Sequence, residues 1–225
     1  MNPIIEIKNL SAFYENKAVF ENLSFEVQDG DCLCIIGENG SGKTTLMRCL
    51  LGLPVKHTGK INYNGISGKD IGYLPQRTVT GNDFPASVEE IIMSGFSGKS
   101  VLGLPYKRSF RKTALENMEI LEITDLKDRS YSELSGGQQQ KVLLCRAMCA
   151  KDKLILLDEP VTGLDSESQA ELYRLIKKLN DSGVTVIMIS HDIKECEQIA
   201  KHILNISGEH ADFYSPSERE EEDKQ

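Results

Sequence analysis

No run of apolar residues in this chain of 225 residues approaches the length needed to cross a bilayer. A basic excess is missing as well: 26 lysines and arginines stand against 34 aspartates and glutamates, a formal net charge of −8. That balance argues against a dedicated nucleic-acid binder, which needs positive charge to meet phosphates. The N-terminus, Met1-Asn2-Pro3-Ile4-Ile5-Glu6, lacks the basic region and long apolar stretch of a signal peptide, so a soluble, cytosolic chain is expected. Internal repeats and low-complexity linkers are absent. The six cysteines show no disulfide framework. Cys32 and Cys34 lie in an apolar strand, Cys49 lies in the helix after it, and Cys196 stands alone near the end. Cys145 and Cys149 share a helix face, but no histidine lies near them in sequence. Packing as small apolar side chains is therefore preferred to metal binding, and a reducing compartment suits all six.

The length permits a substantial core, and apolar and charged contents of 40% and 27% are those of a folded protein. Ile5, Ile7 and Leu10, then Phe13-Tyr14, Phe25 and Val27 read as strands ahead of the turn Asp29-Gly30. The apolar run 32–36 predicts a buried strand, 46–53 a helix stopped by Gly52 and Pro54, and 60–63 and 71–74 two short strands. Beyond residue 84 the period becomes helical. Ser87 is a candidate cap for a helix carrying Val88, Ile91 and Ile92, and 113–123 and 137–150 read as further helices. Strand patterns return at 154–157 and 184–189, separated by a helix over 166–179. Strand, helix, strand in that order implies a parallel sheet with crossover helices.

Gly37-Glu38-Asn39-Gly40-Ser41-Gly42-Lys43-Thr44 matches the phosphate loop G-x-x-x-x-G-K-[ST], and it stands where the motif must, after a strand and at the head of a helix. Its glycines let backbone N–H groups turn inward around phosphate, and the helix N-terminus adds partial positive charge. Lys43 is expected to reach the β- and γ-phosphates, Thr44 to ligate Mg²⁺, and Thr45 to touch phosphate as well. The strand 154–157 ends in Asp158-Glu159, two carboxylates at the phosphate edge of the sheet. Asp158 is expected to hold Mg²⁺ through water, and Glu159 to polarise the attacking water. Tyr14 is the candidate to stack on adenine, with Phe13 as its competitor.

A second glycine-rich element, Leu134-Ser135-Gly136-Gly137-Gln138, precedes the helix that ends near Ala150 and forms a second helix-N-terminal anion site. With all these motifs in order, the chain resembles the ATP-binding subunits of ABC transporters over nearly its whole length. The resemblance implies a P-loop NTPase (RecA-like) α/β core with a parallel sheet, an N-terminal antiparallel β region and an inserted, mostly helical lobe. The core is assigned to 1–83 and 151–215, the lobe with its signature motif to 84–150, and 216–225 to a disordered polar tail with an acidic run at 220–223. It implies further that Gln76 touches Mg²⁺, that His191, beside Asp192, hydrogen-bonds the γ-phosphate, and that the segment holding Asp165 crosses a dimer seam. Two copies then pair on binding ATP, each signature motif capping the partner's γ-phosphate.

Asp83-Phe84-Pro85 before the helix at Ser87, and Gln138-Gln139-Gln140, resemble the zinc- and manganese-importer subgroup, although Lys141 stands where arginine is commoner. Siderophore and cobalamin importers share parts of this pattern, and a soluble iron–sulfur assembly ATPase is a further alternative. The expected protein is a peripheral ATPase on the cytoplasmic face of the cell membrane, served by integral permease subunits and, indirectly, by an extracytoplasmic metal-binding protein. No nucleic-acid partner is expected. Lys99, Lys107, Arg108, Arg111 and Lys112 form a basic stretch without an acid; it suits anionic lipid, acidic loops of a membrane subunit or a solvated face alike.

Overall fold

The computed structural model describes residues 3–15, 17–66, 71–76, 86–97, 107–150, 153–207 and 210–217. Asp83-Phe84-Pro85, Lys99 and the tail from 218 onward lie outside the described residues. Three strands, β1 (Ile5–Tyr14), β2 (Lys17–Val27) and β4 (Lys56–Tyr63), make an antiparallel sheet ordered β2-β1-β4. Between them in sequence lie β3 (Cys32–Gly37) and α1 (Lys43–Leu50). Next come β5 (Ile71–Leu74), α2 (Val88–Ser94), α3 (Arg108–Ile120) and α4 (Gly136–Ala150). The chain then alternates through β6 (Leu154–Asp158), α5 (Ser166–Asp181), β7 (Thr185–Ile189) and α6 (Ile193–Ile199) before β8 (His202–Ser207) and β9 (His210–Tyr214).

The second sheet has the order β5-β6-β7-β3-β8-β9. Every neighbouring pair is parallel except β8 with β9. Its central strands are buried on both faces, and their alternation assigns each residue to one of two cores. Leu33, Ile35, Leu154, Leu156, Ile187 and Ile189 pack with α1 and the antiparallel sheet. Cys32, Cys34, Ile155, Leu157, Val186 and Met188 pack with α2 to α6. Near-continuous apolar strands such as β6 and β7 are the sequence consequence of burial on both sides.

The fold is the expected P-loop α/β core with an antiparallel region and a helical insertion, and the differences lie at element ends. The helix expected over 46–53 is α1, which starts at Lys43: its first turn is polar because it faces the phosphate loop, so hydrophobic period misses it. Strand β4 starts at Lys56, four residues before the expected 60, because residues 56–60 are exposed. Helix α3 begins at Arg108 rather than 113 and ends at Ile120 rather than 123. Its first turn is basic and exposed, and Glu122 beyond its end adopts a left-handed φ of 59°. Helix α4 starts at Gly136, one residue before the expected 137, so both signature glycines lie in its first turn. The sequence pattern predicts neither β8, whose buried Ile203, Leu204 and Ile206 are interrupted by Asn205, nor β9, which is mostly exposed.

Candidate active site

Sheet order builds the site. Strands β5, β6, β7 and β3 are neighbours and parallel, so the residues just past their C-terminal ends emerge at one edge. Gln76 comes after β5, Glu159 after β6, His191 after β7 and the phosphate loop after β3. The side chains meet around Glu159. Gln76 Nε2 donates to its Oε2 at 2.7 Å, Thr162 Oγ1 donates to the same oxygen at 3.1 Å, and His191 Nε2 donates to Oε1 at 2.6 Å. Glu159 has a φ of 49°, uncommon for a residue with a side chain, and its amide donates to Ile189 O on β7 at 3.1 Å. That bond ties the turn to the next strand. A pocket of about 510 Å³ opens beside Glu159, between Val161-Thr162 and the segment from Ser190 to Lys194.

In the phosphate loop, Gly37 has a φ of 145°, and a Cβ there would fall 2.1 Å from Ile206 O. Gly42, the N-cap of α1, has a φ of 100°, and its Cβ would meet Val19 Cγ1 at 2.7 Å. Only glycine fits either place. Lys43 is buried and curls back to donate to Gly37 O and Glu38 O, each at 2.8 Å. Burial lowers its pKa, while the carboxylates of Glu159 and Asp158 oppose that shift. Thr44 is exposed and Thr45 half-buried in the first turn of α1, and Glu38, Asn39 and Gly40 form the open tip of the loop.

Asp158 is buried at the end of β6. Burial pushes its carboxyl above the ordinary range, and the charge of Glu159 adds to the effect. Tyr73 OH donates to Asp158 Oδ2 at 3.4 Å, and burial raises this phenol to about 12. Two buried oxygens at this edge have no hydrogen-bond partner, Ser41 Oγ and Asp158 Oδ1. A buried orphan acceptor is costly. A glycine-rich loop at a helix N-terminus, with an unpaired carboxylate oxygen near its lysine, fits a phosphate and a hard divalent cation such as Mg²⁺.

The signature element stands apart from this edge. Ser135 caps α4 through a reciprocal pair: Gln138 N donates to Ser135 Oγ at 3.3 Å, and Ser135 N donates to Gln138 Oε1 at 3.0 Å. Leu134 is buried beneath it. No hydrogen bond joins residues 134–138 to residues 37–45 among the described residues. Asp165 caps α5, accepting from Ser168 N at 2.9 Å and Ser168 Oγ at 2.8 Å, and the backbone bond leads in lowering its pKa. Tyr14 ends β1 with 76% of its surface exposed, and Phe13 is half-buried.

Sequence reasoning missed Tyr73, Thr162 and Ser168. Tyr73 carried one signal, a phenol in a buried strand whose hydroxyl requires a partner. Thr162 lies within the motif around Asp165 but has no pattern of its own. Ser168 matters because a Cβ on Gly137 would lie 2.8 Å from its Oγ, so the signature helix and the Asp165 cap touch within one chain.

A glycine-cradled lysine at the head of a helix, within electrostatic reach of an aspartate that ends a parallel strand, defines a P-loop nucleoside triphosphatase. The model of the ABC transporter family matches residues 20–162. The chain belongs to that family, and within it to the ATP-hydrolysing, ATP-binding subunits that work with membrane permeases. The manganese transport system ATP-binding protein MntB of Halalkalibacterium halodurans is 33% identical over 226 residues, spanning 96% of this chain and 90% of that protein. The zinc uptake system ATP-binding protein ZurA of Listeria innocua is 34% identical over 92% of this chain and 84% of its own length. A solved structure described as a metal-chelate type ABC transporter in an inward-facing conformation superposes with a TM-score of 0.87 at 32% identity, covering 96% of this chain and 85% of that one.

Proposed function

We propose that this subunit energises the import of a divalent transition metal, zinc or manganese, by closing as a homodimer around two ATP molecules on the cytoplasmic face of the membrane. The cargo assignment is supported by relatives named for manganese transport and zinc uptake. The metal crosses through integral permease subunits, delivered by an extracytoplasmic metal-binding protein. A core of 1–83 and 151–215 holds the nucleotide, and a lobe of 84–150 presents the signature to the other copy.

The contact of Glu159 with both Gln76 and His191 carries the mechanistic reading. Tyr14 stacks on adenine. Lys43 leaves the carbonyls of Gly37 and Glu38 for the β- and γ-phosphates, and the loop amides from Gly37 to Thr45 close around them. Thr44, Gln76 and Asp158 would hold Mg²⁺; Gln76 binds Glu159 through Nε2, which leaves its Oε1 for the cation. When bound, Mg²⁺ would neutralise phosphate charge. Glu159 turns its carboxylate to the attacking water and accepts its proton. His191 releases Glu159 and turns its Nε2–H to the γ-phosphate. The partner's Ser135, Gly136 and Gly137 amides close the far side of that phosphate, and Asp165 lines the seam. Hydrolysis removes the anion that both copies share, and the dimer opens.

The test is Glu159→Gln in the native cell, with uptake of labelled zinc and manganese measured against wild type. Loss of one metal alone establishes the role and names the cargo. Normal uptake of both overturns the metal assignment.

A further inference from the structure

Helix α3 carries its charges in the order its own dipole disfavours. Arg108 and Arg111 lie in its first four residues, no acid accompanies them in the first turn, and its last turn has no base. Lys107 stands at the N-cap position without a side-chain cap hydrogen bond. Positive charge is favoured at the opposite end of a helix, so this end is better suited to an outside anion than to an isolated fold. Arg108, Arg111, Lys112 and Leu115 recur at spacings of three and four, which places them on one stripe. All four are exposed, Leu115 at 37%. Lys112 lies 3.6 Å from Glu116 yet keeps 80% of its side chain exposed. Lys107, Arg108 and Arg111 form no ion pair with any described residue. The stripe is firmly seated, because Phe110 stacks on Phe96 with ring centroids 4.6 Å apart.

ATP is not the missing anion. Helix α3 runs antiparallel to α4: Asn117 Nδ2 donates to Cys149 Sγ near the far end of α4, while Glu122 beyond α3 feels the charge of Lys141 near its start. The basic end of α3 therefore lies past the last turn of α4. Ser135 is at the other end, roughly 20 Å away along the helix axis.

We propose that this stripe docks on anionic phospholipid headgroups, with Arg108, Arg111 and Lys112 on phosphates and Leu115 toward the acyl boundary. Guanidinium groups match phosphate oxygens two at a time. A lipid surface neutralises all the bases at once, and an apolar residue on the same stripe suits a surface that is charged above and oily below. The chain as a whole, at −8, is repelled by such a surface, so a single basic end also fixes which face approaches. The lipid contact rests on the membrane-face location proposed for the subunit.

The purified chain is sedimented with vesicles of phosphatidylcholine plus phosphatidylserine, and with phosphatidylcholine alone, at low and raised salt. Wild type binds only the anionic vesicles, and less at raised salt. Combining Arg108→Gln, Arg111→Gln and Lys112→Gln lowers partitioning roughly a hundredfold, the matching glutamate variant lowers it further, and ATPase activity stays at the wild-type level in both. Equal partitioning of wild type and variant, or of wild type on both vesicles, overturns the lipid contact. If wild type ignores vesicles while the variant no longer copurifies with its membrane subunit, the stripe is a protein contact: the lipid proposal falls and the transporter reading stands.

Discussion

Glu159 shows how much of this protein is decided at single side chains. Its carboxylate has three hydrogen-bond donors, two of them from distant loops, and its backbone sits in a conformation that bulky residues avoid. Neither fact is visible in the dipeptide Asp158-Glu159, because Gln76 is 83 residues away and His191 is 32. The cysteines were legible. All six are free and buried, as expected of small apolar side chains in this sequence. Burial pushes the thiol of Cys49 to about 11 from an ordinary value of 9.0. The sign depends on which state ionises first: as pH rises past 9.0 the unfolded chain loses its proton while the folded chain keeps it. Stability due to this group is complete below 9.0 and drains away up to about 11. Melting temperature should therefore fall more steeply from pH 9 to 11 in wild type than in Cys49→Ala. Parallel slopes would show that some other group carries the alkaline transition.

At the scale of elements, α4 is the member on which the rest of the helical insertion depends, and two glycines set how closely it is approached. A Cβ on Gly72 of β5 would lie 2.4 Å from Ala147 O, and one on Gly95 beyond α2 would lie 2.3 Å from Arg146 O. Both obstacles are backbone of α4, which has no rotamer to escape into. Gly72→Ala should cost about 1–3 kcal/mol as overpacking, read as a lower urea midpoint with an unchanged slope. An unaltered midpoint would mean that β5 and α4 part easily. The existence of α4 was readable from its apolar period, and its start was read one residue late, at 137 instead of Gly136. Gly136 and Gly137 are poor helix formers, and what holds them helical is the Ser135–Gln138 cap together with packing against Ser168.

For the whole molecule, the decisive observation is one of separation. The phosphate loop and the signature element share no hydrogen bond among the described residues, yet both are helix N-termini shaped for an anion. A site shared between copies predicts that Ser135→Arg abolishes ATP turnover while the monomer still binds a fluorescent ATP analogue with little change. Loss of that binding would place both motifs around one nucleotide. The contact between Gly137 and the Ser168–Asp165 cap gives the chain a direct path from its signature helix to the turn that opens α5. That path consists of packed atoms and was beyond any reading of motifs.

By itself the sequence determined the strand-and-helix order, the phosphate loop, the Asp158-Glu159 strand end and the family, because each is written in contiguous residues with its own spacing rule. Tertiary structure alone decided that Gln76 and His191 both bond Glu159, that Tyr73 leans on Asp158, and that Gly137 rests on Ser168. The reason is the sheet order β5-β6-β7-β3, which differs from chain order. Parallel strands brought together by crossovers deliver their ends to one edge. Local propensity records that each strand exists, whereas its neighbours are chosen only when both faces of the sheet are buried together.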